Sequence, residues 1–406
     1  NDAATPVYWS VRADVEERLG HLQDALASLN AAALLQETSR ILARRSTLKT
    51  SLGDFEGARA DLERAMALDP EEGELYRLWS TLHRFVPDDP IFAQMQDLAQ
   101  RLPADAPAQV GFDFALAKAL DDLGDYQYAF EHLMRANRAV RKAFPFDIRG
   151  REQEVRSYQR SFATFKARAY QLKQPSSYAP IFITGMPRSG TTLAEQIISS
   201  HAHVSAGGEV ARFYRRMVET VGDPARGALQ MTPERVAALA HRYEGDMLTR
   251  MHMGKRRTDK SLQTIKYAGP VLEALPHAKI IVVTRDPNAT ALSLLKQKFR
   301  PGKQLFSYAL SDIRRYQTTF NEMVSYWSAK LPQSIKVGAY EDIVSDPEAV
   351  TREMLAFADL AWDDACLSPE KNERAVKTLS SVAVRAPISQ GPRDHWKNYA
   401  PYLGTP

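Results

Sequence analysis

Cysteine is nearly absent: Cys366 is the only one in 406 residues. An internal disulfide and a thiolate metal cage are therefore excluded, and a reducing compartment, the cytoplasm, is the expected location. Long apolar runs are missing too. Stretches such as Ile280-Ile281-Val282-Val283 fall far short of the roughly 18 residues that a membrane span needs. No charged-then-apolar leader pattern opens the chain, so neither a span nor a signal segment is expected. Charge of one sign is scarce as well, with 53 basic against 49 acidic residues and a net charge of +4. That is too little for a general nucleic-acid binder, yet it leaves room for a local basic pocket around an acidic ligand. His201 and His203 lie two apart with no accompanying Asp, Glu or Cys cluster, so they read as loop histidines and no metal is expected. Neither a Ser-His-Asp elbow nor a dinucleotide GxGxxG fingerprint is found. What remains, with 44% hydrophobic and 25% charged residues, is an ordinary globular chain long enough for two or three domains of about 150 residues.

A self-comparison finds one pattern three times. Leu19-Gly20-His21-Leu22 recurs as Leu52-Gly53-Asp54-Phe55 and as Leu123-Gly124-Asp125-Tyr126. Each glycine is followed by Ala (Ala25, Ala58, Ala129), then Leu (Leu29, Leu62, Leu133), then Ala again (Ala32, Ala65, Ala136) at constant offsets. The glycine ends one helix, the next residues turn into a second, and the small residues let the two approach closely. Asp69-Pro70 then stops the second helix. The first two glycines are 33 residues apart and the third lies 71 further on, leaving space for a degenerate copy around residues 73–103. The pattern resembles the tetratricopeptide repeat (TPR), whose hairpins stack because none can bury its apolar face alone. A concave surface of that kind suits a protein partner or self-association. Beyond it, a helical pattern through Gln153–Leu172 ends in the turn-rich Gln174-Pro175-Ser176-Ser177-Tyr178-Ala179-Pro180.

The next run, Pro180-Ile181-Phe182-Ile183-Thr184, reads as a buried strand. It enters Gly185-Met186-Pro187-Arg188-Ser189-Gly190-Thr191-Thr192, and a helix is expected over Leu193–Ile198. Strand, glycine loop and helix start cradle phosphate, because backbone N–H groups and the helix dipole converge on an anion. Gly185 to Gly190 has the GxxxxG spacing, but Thr191 stands where a nucleoside-triphosphate loop carries lysine. A nucleotide kinase is disfavoured on that ground, and a shorter phosphate chain with no bound magnesium fits better. A second buried strand, Lys279–Thr284, is followed by Arg285-Asp286-Pro287 and a helix containing Ser293. By itself Arg285 reads equally as a surface partner of Asp286 or as a ligand residue at a strand's carboxyl end, where open α/β sheets bind ligands.

Taken together, Pro187-Arg188-Ser189-Gly190-Thr191-Thr192-Leu193 and Arg285 with Ser293 eight residues on resemble the two anion sites of sulfotransferases that use 3′-phosphoadenylyl sulfate (PAPS). With the repeats, the chain resembles bacterial TPR-containing sulfotransferases, whose catalytic domain is similar to that of tyrosylprotein sulfotransferases. The resemblance implies an α/β fold in which a TPR domain (1–145), a connecting helix and linker (146–180) and a P-loop-like three-layer α/β/α domain with a mainly parallel sheet (181–406) follow one another. It implies that Arg188, Ser189, Gly190, Thr191 and Thr192 hold the 5′-phosphosulfate, and that Arg285 and Ser293 hold the 3′-phosphate. Glu209, in Gly207-Gly208-Glu209, matches the family's base. From the residues alone it reads first as a carboxylate at a helix start, and only the resemblance favours the base. Lys260, in Thr258-Asp259-Lys260, matches the lysine that polarises the departing bridge, although a surface charge is the default for any lysine. Tyr340 matches a nucleotide-contacting tyrosine. The stretch Ser380–Ile388 resembles the closing loop, with Ser380 assisting the transition state and Arg385 facing the 3′-phosphate. Two positions depart from the tyrosylprotein pattern: Gln297, flanked by Lys296 and Lys298, and His395 before Trp396 each replace a basic residue. The implied reaction moves a sulfonate group from PAPS, releasing PAP, to a hydroxyl of a peptide or protein tyrosine, a saccharide or a small phenol. The competing reading is a TPR scaffold with an inactive sulfotransferase-like domain.

Overall fold

A computed structural model describes residues 5–166, 172, 175–209, 212–248, 256–372, 383–389 and 393–404. The first part is helical: α1 (Pro6–Leu19), α2 (Leu22–Leu35), α3 (Ser39–Leu52), α4 (Phe55–Leu68), α5 (Gly73–Ser80), α6 (Pro90–Arg101), α7 (Pro107–Leu123), α8 (Tyr126–Ala143) and α9 (Ile148–Ser161). The repeated glycines end α1, α3 and α7 with φ of +93°, +93° and +82°, a left-handed conformation that glycine adopts at least cost. Asp54 and Asp125 then cap α4 and α8 by accepting from Gly57 and Tyr128 N–H groups. All nine repeated Ala and Leu positions are buried, as the pairing of α1 with α2, α3 with α4 and α7 with α8 requires.

Two expectations differ from the structure. Residues 73–103 hold α5 and α6, but α5 packs on α7, where a Cβ on Gly111 would come within 2.2 Å of the Gly73 carbonyl carbon. Two glycines let those helices cross in near contact. The helix expected through Leu172 ends at Ser161 instead, because Phe162 and Phe165 turn back to pack against Trp327, each with a centroid separation of 5.2 Å.

The second part alternates strands and helices: β1 (Ile181–Gly185), α10 (Thr191–Ser199), β2 (Val204–Ser205), α11 (Arg212–Val221), α12 (Pro233–Leu248), β3 (Arg256–Lys260), α13 (Ala268–Ala274), β4 (Lys279–Thr284), α14 (Pro287–Leu295), α15 (Leu310–Lys330), β5 (Ile335–Ala339), α16 (Tyr340–Ser345), α17 (Pro347–Phe357) and α18 (Ala400–Leu403). Among the described residues the sheet has five strands in the order β2-β3-β1-β4-β5, every pairing parallel. Successive side chains serve opposite faces. Ile181, Ile183, Ile281 and Val283 join a core with α10 and α17. Phe182, Ile280 and Val282 join another with α12, α14 and α15. That second core continues into Phe114, Ala129, Leu133 and Tyr158, so the helical part and the sheet part share buried apolar surface. Register puts Ile183 opposite Lys260, Gly185 opposite Val283 and Thr284 opposite Ala339. The carboxyl ends of β1, β3, β4 and β5 therefore lie along one edge, the edge where such sheets bind ligands.

Candidate active site

The glycine loop is built by backbone constraint. A Cβ on Gly185 would lie 2.5 Å from both the Ser189 hydroxyl and the Val283 carbonyl, and Gly190 has φ +102° with the Tyr340 ring 2.6 Å from where its Cβ would be. Helix α10 starts at Thr191, two residues before the sequence predicts, so Thr191 and Thr192 supply its first turn. Its N-cap is Gly190, which offers no side chain to the leading N–H groups, and the helix end faces the loop ready for an anion. The Ser189 hydroxyl is buried without a hydrogen-bond partner among the described residues, an arrangement that costs free energy until an acceptor or donor arrives.

A cationic cluster adjoins the loop. Arg285 leaves the end of β4, donates from Nη1 to the Arg188 carbonyl at 3.2 Å and lies 4.5 Å from the Tyr340 ring centroid. The Arg188 guanidinium turns to α14 and donates from Nε to the Ser293 hydroxyl at 3.1 Å. Burial first, then the charge of Arg285, lowers the Arg188 pKa to about 10. Burial also lowers Arg285, against the opposing effects of Tyr340, Glu341 and Asp286. Asp286 caps α14, accepting from the Ala289 N–H at 2.8 Å. Arg188 thus belongs by its backbone to the loop and by its side chain to the group containing Arg285, Ser293 and Tyr340. It holds φ +71°, a conformation that costs a non-glycine residue about 1–2 kcal/mol and persists where a site demands it.

The third group centres on Lys260, whose side chain is 1% exposed at the end of β3. Its Nζ donates to Thr192 Oγ1 at 3.2 Å and to Glu209 Oε1 at 3.1 Å. Glu209 is 54% exposed, so one side of its carboxylate meets the lysine and the other meets solvent. Gly208 precedes it with both backbone groups bound: its carbonyl accepts from the Lys260 N–H at 3.0 Å and its N–H donates to Glu195 Oε1 at 2.9 Å. The Thr258 hydroxyl also donates to that oxygen at 2.9 Å. Asp259 is buried and accepts from the Tyr243 hydroxyl at 2.7 Å; burial pushes its carboxyl up to about 7, against that hydrogen bond and with the help of the Glu195 charge. Glu195, Thr258 and Tyr243 were not singled out from the sequence. Only Glu195 leaves a signal there, as a lone charge inside the apolar run Leu193–Ile198.

Other residues fall elsewhere. Arg385 was expected at the 3′-phosphate, but its guanidinium donates from Nη2 to the Ser51 carbonyl at 3.4 Å and lies over Gly53. The carbonyl end of α3 attracts the cation there. Ser380 lies outside the described residues. His201 bonds through Nε2 to the Ala361 carbonyl and through Nδ1 accepts the His203 N–H, so it braces a loop. Of the two departures, His395 reaches Asp121 of α7 at 2.8 Å, where it meets Lys296, the neighbour of Gln297, also at 2.8 Å. Among the described residues no group of three or more His, Cys, Asp or Glu is arranged to hold a metal, and no helix is long and apolar enough to cross a membrane.

Residues 180–364 match the model of the sulfotransferase family, so the chain carries a sulfotransferase-family domain over that span. Over 94% of its length it is 27% identical to an uncharacterized protein of Aquifex aeolicus, of which it covers 52%. Half of the chain is 27% identical to protein-tyrosine sulfotransferase A of Caenorhabditis elegans, covering 55% of that protein. The chain thus spans about half the length of the curated relatives it matches. Among solved structures, the sulfotransferase domain of the Synechococcus PCC 7002 olefin synthase is 20% identical, with a TM-score of 0.41 over 56% of this chain and 91% of that one.

Proposed function

We propose that this chain transfers the sulfonate group of PAPS to a hydroxyl acceptor, with a peptide or protein tyrosine as the first acceptor to test. The observation that carries the reading is Lys260: a fully buried ammonium joined to Thr192 of the glycine loop on one side and to the solvent-facing Glu209 on the other. A lysine is desolvated at such cost where its charge is needed, here beside an anion-binding loop. The residues fit the donor. Ser189 offers a hydroxyl without a partner among the described residues, Gly190 leaves the space a Cβ would fill, and Arg188, Arg285 and Ser293 make a second anion site suited to a 3′-phosphate. The Tyr340 ring lies between the two.

When bound, PAPS supplies an activated sulfur with a phosphate leaving group. Glu209 accepts the proton of the acceptor hydroxyl as that oxygen bonds to sulfur. The bond from sulfur to the 5′-phosphate oxygen breaks, and the departing PAP keeps the electron pair. Lys260, Thr192 and the α10 N-terminus stabilise the charge that builds on the bridging oxygen. Ser380 is assigned an assisting part by resemblance alone, and Arg385 is assigned to the contact with α3. No metal enters this scheme. The similarity to a protein-tyrosine sulfotransferase over half the chain supports tyrosine ahead of a saccharide or small phenol. We further propose a cytoplasmic enzyme whose residues 1–145 are TPR repeats that bind a partner or a second copy, followed by a linker (146–180) and the catalytic domain (181–406); the buried Ala and Leu positions of the hairpins support the repeats.

The test is transfer from sulfur-labelled PAPS to a tyrosine peptide, an oligosaccharide and a small phenol. Label on one acceptor class, lost in Glu209→Ala while PAP still binds, is the expected result. PAP binding without transfer to any of them favours the scaffold reading.

A further inference from the structure

We infer that Glu195 is a positioning residue for the base: its buried carboxylate, carried by the helix that follows the glycine loop, fixes residues 207–209 and so aims Glu209 at Lys260. The inference rests on the sulfonate-transfer reading above. Glu195 is 1% exposed, and keeping a carboxylate there carries a large desolvation cost. What it does in return is specific. One oxygen, Oε1, accepts from the Gly208 N–H and from the Thr258 hydroxyl, both at 2.9 Å. Because that hydroxyl donates to Glu195, its lone pairs are left to accept the Gly207 N–H, also at 2.9 Å. An ionised carboxylate only accepts, so it sets the direction of this chain of bonds. The loop has no slack: a Cβ on Gly207 would lie 1.9 Å from the Thr258 carbonyl, and Gly208 holds φ +69°. With its N–H on Glu195 and its carbonyl on the Lys260 N–H, Gly208 ties helix α10, the base loop and strand β3 at one point. Glu209 is the next residue.

The arrangement links donor and acceptor chemistry through one helix. Helix α10 carries both Thr192, which meets Lys260, and Glu195, which sets the loop of Glu209. Loss of Glu195 is therefore expected to misplace the base while leaving the Arg188–Arg285–Ser293 cluster as it is.

The experiment compares the full chain with Glu195→Ala, Glu195→Gln and Thr258→Val. Each is measured for kcat, KM for PAPS and PAP affinity, and Glu195→Ala is also made in a Glu209→Ala background. Glu195→Ala is expected to lower kcat by about 10- to 100-fold, the scale of a base displaced by an ångström or less, with KM for PAPS and PAP affinity within about twofold. Glu195→Gln, which retains an acceptor oxygen, is expected to recover most of kcat. In the Glu209→Ala background, removing Glu195 is expected to change the residual turnover little, because the group it aims is gone. Thr258→Val removes the hydroxyl link at nearly constant volume and is expected to reproduce the kcat loss if Glu195→Ala does not fold. Equal losses with and without Glu209, or a loss shared by kcat and PAP affinity, would overturn the positioning role. If Glu209→Ala alone leaves kcat unchanged, the base assignment of the transfer reading has failed instead.

Discussion

The seam between the helical part and the sheet part and the proposed catalytic centre beside it both bury charge, in opposite ways. At the seam, Asp121 accepts from Lys296, His395 and the Tyr399 hydroxyl. Burial alone would raise its carboxyl, but these donors outweigh burial and hold it well below the usual carboxylate range. The Asn137 amide adds a bond to the Leu295 carbonyl at 2.8 Å, and Lys298 pairs with Glu74 at 2.8 Å. At the centre, Arg188 and Arg285 crowd together beside the glycine loop, and burial first, then the Arg285 charge, lowers the pKa of Arg188. Both regions meet on α14, which offers Ser293 to the centre and is followed directly by Lys296 at the seam. Charge answered by its opposite holds parts together, whereas like charges gathered at the strand ends prepare a place for an anion. Damage at the seam is expected in stability, damage at the centre in turnover and binding.

The largest effect that sharpens this contrast is Lys260→Ala, expected to lower kcat by about 10²–10³-fold, the scale for one preorganised donor at a developing anion, with a smaller change in PAP affinity. Calorimetry and single-turnover rates separate the two. At the seam, Asp121→Ala is expected to cost about 3 kcal/mol of stability, as removal of one partner of a buried pair does, read as a lower denaturation midpoint with PAP affinity little changed. Its pH dependence has a definite sign. The folded carboxyl lies below the unfolded value of about 3.9, so the Asp121 contribution is complete above about pH 4 and is lost as pH falls through the folded pKa. Wild type and variant are therefore expected to converge in stability in acid. Arg285→Ala is expected to weaken PAP by about 10- to 100-fold, the loss of a charge-assisted hydrogen bond, with an unchanged denaturation midpoint. The smallest is Ser189→Ala: a few-fold loss of PAP affinity and stability equal to or above wild type, since the hydroxyl has no partner among the described residues. If stability and binding change together in these variants, the contrast is broken.

What the sequence revealed was whatever a short stretch decides by itself. The glycines that end α1, α3 and α7 and the buried Ala and Leu positions after them follow from turn geometry and helix spacing alone. So does the glycine loop, although α10 begins earlier than its apolar run suggested, because Gly190 takes the N-cap itself. Placement that depends on distant partners was not legible. Phe162 and Phe165 break the expected long helix to reach Trp327. Lys296 finds Asp121 across 175 residues, and Arg385 goes to Ser51 across 334. Glu195 was missed for the same reason. Its partners, Gly208 and Thr258, come together only when β3 pairs alongside β1.

We propose that two anion sites at the strand ends recognise a 3′-phosphorylated nucleotide. Calorimetric titration of the full chain with PAP, 5′-AMP and ATP tests it most directly. PAP is expected to bind at least about tenfold more tightly than 5′-AMP or ATP, the worth of charge-assisted bonds to the 3′-phosphate. Equal affinity for the three, or no binding of PAP, would contradict the claim.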